Sequence, residues 1–90
     1  MSKSVRIDLY LKITEFISSR VVSKNFINSG GVLINDRVAK PSSKVKDRDV
    51  ITIYLSTSTI LIEVSIREEG NTLYLGGKII DEQLGGTPRC

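Results

Sequence analysis

The 90-residue sequence contains no histidine and a single cysteine. Without histidine the chain lacks the side chain that most often acts as general base or metal ligand near neutral pH. Cys90 stands alone at the end, where it can form no internal disulfide and no thiol metal site, and it reads as an exposed, incidental thiol. Long apolar runs are also missing. Ile60-Leu61-Ile62, cut off by Glu63, is as long as any, whereas a membrane span takes ~20 such residues. Residues 1–6 show no apolar leader segment, so the expected address is the cytoplasm. There is no phosphate-cradling glycine loop and no spaced ligand set. No catalytic residues, no metal and no cofactor are expected.

Hydrophobic residues make up 40% of the chain and charged residues 26%, an ordinary globular balance. One small domain is expected, with a core that is marginal but sufficient. The net charge of +3 is unevenly spread. Residues 1–55 hold ten Lys/Arg against five Asp/Glu, a balance of +5. Residues 56–90 hold three against five, a balance of −2. A basic half joined to a slightly acidic half points to one face for a polyanion.

Ile7, Tyr10, Leu11, Thr14 and Ile17 recur with helical spacing, which predicts a first helix over 6–17. Asp8 lies in its first turn, where a negative charge suits the helix dipole, and stands four residues before Lys12. Ser18-Ser19 breaks the pattern and offers the cap of a second helix, running to about Ser29 with Ser23, Phe26, Ile27 and Gly30 inward. Gly30-Gly31 supplies a left-handed terminator. Strands follow at Val32–Ile34, at Arg37–Lys40 with Pro41 either ending it or sitting at an edge, and at Val50–Leu55, joined by the turns Asn35-Asp36 and Lys46–Asp49. Ser56–Thr59 reads as a polar turn, Ile60–Ile66 as a strand, Glu68–Asn71 as a turn and Thr72–Leu75 as a short strand. Lys78–Leu84 reads as either a short helix or an irregular strap.

Two basic groups stand out. Arg20 and Lys24 lie in the opening of the second helix, where no acid is present. A helix built for stability alone would prefer an acid there, and like charges at i, i+4 cost roughly 0.2–0.5 kcal/mol. Cations at a helix N-terminus make a phosphate site, although a solvated basic face would look the same. Lys40, Lys44 and Lys46, with Arg37 and Arg48 close in sequence, flank the Pro41-Ser42-Ser43 loop. Both groups fall within one αα-β segment and can share a face.

Arg6-Ile7-Asp8-Leu9-Tyr10-Leu11, then Ser19-Arg20, Ser23, Ile27, Gly30, Val32, Ile34-Asn35, Lys40-Pro41-Ser42, Val45 and Asp49-Val50-Ile51, resemble the S4 RNA-binding domain in order and nearly without gaps. The narrower resemblance is to small stand-alone bacterial S4 proteins, a ribosome-recycling heat-shock protein and a ribosome quality-control factor. The implied fold is α+β: two helices packed on a small, mainly antiparallel sheet, extended by a C-terminal β-hairpin. The implied layout is an S4 domain over 1–55, a β extension over 56–84 packed on it, and a flexible tail over 85–90. The implied partner is structured RNA, ribosomal RNA or tRNA, on the large ribosomal subunit during recycling or quality control of stalled ribosomes. The RNA-binding residues that the resemblance implies are Arg6, Ser19, Arg20, Lys24, Asn35, Lys40 and Lys44, with Asp8 orienting a neighbouring arginine; the nearby cations Lys12, Arg37 and Lys46 are expected to join them.

The chain departs from the family at the turns, where Asn35-Asp36 replaces Asn-Gly and Asp47-Arg48-Asp49 replaces Pro-Gly-Asp. Leu9 and Glu15 stand where relatives carry basic residues. Leu9, Ile13 and Phe16 thereby form a second apolar stripe, expected to pack on the strands of 60–75. The alternative is a protein-interaction module using this stripe and a strand edge, with a protein partner or weak dimer through the first helix.

Overall fold

The computed structural model describes residues 4–17, 24–55 and 58–84. Ser19, Arg20 and Ser23, and the tail at 85–90, lie outside the described residues. The elements are β1 (Ser4–Arg6), α1 (Ile7–Thr14), α2 (Lys24–Phe26) running into a wide helical turn at Ile27–Gly31, β2 (Val32–Ile34), β3 (Arg37–Val38), β4 (Lys44–Lys46), β5 (Val50–Tyr54), β6 (Ser58–Glu69) and β7 (Thr72–Leu84). This is the expected α+β architecture.

Helix α1 lacks a side-chain N-cap, since Arg6 precedes it. Two of its first-turn N–H groups find acceptors outside the helix ladder. Ile7 N–H donates to the Ser43 carbonyl at 2.7 Å, and Leu9 N–H to Asp8 Oδ1 at 2.7 Å. The helix stops at Thr14, short of the expected 17. The Thr14 hydroxyl bonds back to the Tyr10 carbonyl at 2.8 Å, and Glu15 adopts a left-handed φ of 53°. The reversal turns Ile17 into the core. At the end of the second helix Gly30 takes a φ of 93°, the left-handed residue expected there.

Five strands form one antiparallel sheet in the order β3-β2-β5-β6-β7. A second sheet pairs β1 with β4 antiparallel, with Ser4 opposite Lys46, Val5 opposite Val45 and Arg6 opposite Lys44. Neither strand is expected from the sequence. Each is a polar-apolar-polar triplet too short to show a period by itself, and each forms because the other pairs with it. Val5 and Val45 face inward and join Ile7, Tyr10, Leu11, Ile27, Val32, Ile51, Ile53, Ile62 and Val64 in the core.

Four further expectations need correction. Residues 78–84 are neither helix nor irregular strap. They continue β7, which pairs with β6 from Thr72 to Leu84. Between the pairs Leu61–Asp81 and Ile62–Ile79 the register slips, so Ile80 is the extra residue of a bulge. Strand β6 begins at Ser58, inside the expected turn, and β3 ends at Val38, before Lys40. Leu9 and Ile13 do not pack on the 60–75 strands. They are 46% and 53% exposed, and only Phe16 of that stripe rests against the core. The face of α1 that reaches the hairpin is Tyr10's, whose hydroxyl donates to the Gly76 carbonyl.

Candidate nucleic-acid interface

The small β1–β4 sheet sets the geometry. Side chains alternate along a strand, and residues directly opposite share a face. With Val5 and Val45 buried, Ser4, Arg6, Lys44 and Lys46 all point outward. Arg6 and Lys44 are therefore cross-strand neighbours of like charge, an arrangement that weakens a sheet. Asp8 relieves it in part: its Oδ2 lies 3.1 Å from Arg6 Nη2. The pair is half exposed, so it adds little stability, but it fixes where the guanidinium sits.

Beside this sheet is an open groove of about 560 Å³, lined among others by Asn35, Arg37, Lys44 and Lys46. Its wall comes from the β2–β3 hairpin. That hairpin turns on Asn35 and Asp36, both at positive φ (51° and 70°), as a two-residue type I′ hairpin requires. Asp49 is the acid in the groove, and both its oxygens are engaged. Oδ1 accepts from Asn35 Nδ2 at 3.1 Å and Oδ2 from Lys46 N–H at 2.8 Å. The carboxylate is thus engaged in the turn, and among the described residues it forms no ion pair with a lysine ammonium. Among the described residues no ion pair holds Arg37, Lys40, Lys44 or Lys46.

The ten residues singled out from sequence divide accordingly. Arg6, Arg37, Lys44 and Lys46 come together around the small sheet and the groove. Lys40 is exposed in the adjoining loop, where its N–H donates to Ser43 Oγ at 2.9 Å and closes the turn over Pro41-Ser42. Lys12 is exposed on α1 and Lys24 at the start of α2. Asn35 lines the groove, but its amide is occupied by the fold: besides donating to Asp49, its Oδ1 accepts Val50 N–H at 3.0 Å. Ser19 and Arg20 lie outside the described residues. Sequence reasoning missed the pairing that places Arg6 against Lys44; the matched triplets Ser4-Val5-Arg6 and Lys44-Val45-Lys46 were its only trace.

The S4 domain family model matches residues 5–51, from β1 into β5. The chain belongs to the S4 domain family. Among its relatives, the RQC P-site tRNA stabilizing factor of Bacillus subtilis is 31% identical over 87 residues, covering 90% of this chain and 99% of the relative. The protein of the same name from Listeria monocytogenes is 30% identical over 69 residues, covering 77% and 75%. That of Helicobacter pylori is 38% identical over 50 residues, covering 56% and 60%. Among solved structures, the trimeric Vibrio cholerae Heat Shock Protein 15 superposes with a TM-score of 0.62 at 26% identity, over 78% of this chain and 71% of that one. The S4 match spans every candidate RNA-binding residue and stops before β6 and β7.

Proposed function

We propose that this S4 protein binds structured RNA on the ribosome and takes part in quality control of stalled translation, with tRNA in the P site as one contact and large-subunit ribosomal RNA as the other. It acts by binding, without catalysis, in the cytoplasm. The carrying observation is the placing of Arg6 opposite Lys44 on an exposed sheet face beside a groove that also holds Arg37 and Lys46. Two like charges made cross-strand partners weaken the fold slightly, and a phosphodiester backbone laid across them reverses that penalty. The names of the relatives agree with this reading. The proposed RNA-binding unit is residues 1–55, with Arg6, Lys12, Ser19, Arg20, Lys24, Asn35, Arg37, Lys40, Lys44 and Lys46 as its surface and 56–84 as an extension whose β6 pairs along β5. An S4 surface of this kind reads RNA shape and phosphates more than linear sequence.

The test is sedimentation with isolated large subunits, with and without trapped peptidyl-tRNA. Co-sedimentation that strengthens when the tRNA is present supports the proposal. Absence from both kinds of particle would overturn it.

A second reading rests on Leu9 and Ile13, exposed one helical turn apart on α1. They would serve as the contact for a protein partner or a second copy of the chain. Ile13→Gln separates the readings: under this second reading it abolishes the protein contact and leaves RNA affinity intact.

A further inference from the structure

Past Lys46 the chain presents a further exposed cation. Strand β4 passes into a turn through Asp47, Arg48 and Asp49, where Arg48 holds a φ of 75°. That left-handed conformation is free to glycine and strained for a side-chain-bearing residue such as arginine. The turn is held by hydrogen bonds of its backbone and of its two aspartates. Asp49 N–H donates to the Lys46 carbonyl at 3.0 Å, and Arg48 N–H to the Val64 carbonyl at 2.8 Å. Lys46 N–H donates to Asp49 Oδ2 at 2.8 Å, and Ile66 N–H to Asp47 Oδ1 at 2.9 Å. None of these bonds uses the Arg48 side chain. It is 88% exposed, with Asp47 Oδ2 3.9 Å from its Nε. The turn would form as well, and with less strain, if the side chain were absent.

Beyond the turn is a second open depression of about 390 Å³, bordered by Arg48 and by Lys78 of β7. Lys78 stands opposite Glu63 in the β6–β7 register, with Nζ 3.9 Å from Oε1. The first groove and this depression are two sides of one turn, with Asp49 on the first and Arg48 on the second. We propose that Arg48, with Lys78, carries the RNA path out of the groove, over the turn and onto the β6–β7 hairpin, by contacting the sugar-phosphate backbone. The inference rests on the RNA-binding reading and extends it past residue 51, where the S4 match ends. Asp47 and Glu63 each stand beside one of these cations, so the subsite is a positioned pair of phosphate contacts within a locally balanced charge field.

The experiment measures the affinity of the full chain for a tRNA transcript across a salt series, together with thermal unfolding, for Arg48→Gly, Arg48→Gln, Lys78→Gln and Lys44→Ala. Arg48→Gly should raise the melting temperature, because the turn loses its strain, and yet weaken binding on the order of fivefold, with the log–log salt slope reduced by about 0.7–0.9. Arg48→Gln should show the same binding loss without the gain in melting temperature, and Lys78→Gln a similar loss of slope. Wild-type affinity and slope in both Arg48 variants, with Lys44→Ala weakened, would overturn this inference and leave the groove standing. Wild-type affinity in every variant would remove the RNA-binding reading along with it.

Discussion

The Tyr10 hydroxyl donates to the Gly76 carbonyl at 2.5 Å, joining α1 to β7 across 66 positions of sequence. Gly77 makes that approach possible. A Cβ there would lie 2.5 Å from the Glu63 carbonyl oxygen and 2.7 Å from the Tyr10 hydroxyl, whereas at Gly76 it would meet nothing within 4 Å. Adjacent glycines therefore predict opposite outcomes. Gly77→Ala should destabilise by about 2–3 kcal/mol, because the clash is with backbone that cannot rotate away. Gly76→Ala should stay within roughly 0.5 kcal/mol of the native chain. Urea unfolding of the two variants checks both.

Burial pushes the Tyr10 hydroxyl up from 10.0 to about 12. Above pH 10 the unfolded chain releases this proton while the folded chain keeps it. Stability should therefore be insensitive to Tyr10 below that pH and fall as pH rises through the window from about 10 to about 12. Tyr10→Phe should flatten this part of the profile and lower stability near pH 7 by about 0.5–1.5 kcal/mol, the usual loss for a hydrogen bond. Denaturant midpoints between about pH 8 and pH 11 test the slope.

Asp36 holds a φ of 70° in the β2–β3 turn, where a side chain is disfavoured. Asp36→Gly should stabilise by about 0.5–1 kcal/mol, the relief of left-handed strain less the entropy that glycine adds to the unfolded chain, a rise in melting temperature of roughly 2–8 °C for a domain of this size. Scanning calorimetry would show it. A fall would mean that the carboxylate has a role in the turn outweighing its backbone strain.

The pair Arg6 and Asp8 predicts non-additivity. Arg6→Ala should weaken RNA binding by about 1–2 kcal/mol as a lost phosphate contact. Asp8→Ala should weaken it less, because the guanidinium is then mobile but still present. In the Arg6→Ala background Asp8→Ala should have no further effect, since the carboxylate acts through the arginine. Equilibrium binding of the three variants completes the cycle.

Much of the fold was legible in the sequence because short-range chemistry dictates it. The turn at Asn35-Asp36 and the terminator at Gly30 both occur, each with left-handed backbone. The run Val50–Tyr54 has few alternatives to a strand. What escaped was structure that exists only through a partner. Residues 78–84 contain Asp81, Glu82 and Gln83, poor strand formers, and follow two glycines that look like a break. They form a strand because β6 offers a ladder along its whole length. Ser4–Arg6 and Lys44–Lys46 are likewise strands only together. The site followed the same rule. Its residue types were readable one by one, but the convergence of Arg6 on Lys44 needed a pairing 38 residues apart in sequence.

The most direct test of the central claim, that these cations form one surface for RNA backbone, is the salt dependence of affinity for structured RNA. With ~4–6 phosphate contacts, affinity should fall on the order of a hundredfold between ~50 and ~200 mM salt. Removing Arg6 and Lys44 together should flatten that slope by roughly two contacts while the fold persists. An affinity indifferent to salt, or a slope unchanged in the double variant, would contradict the account.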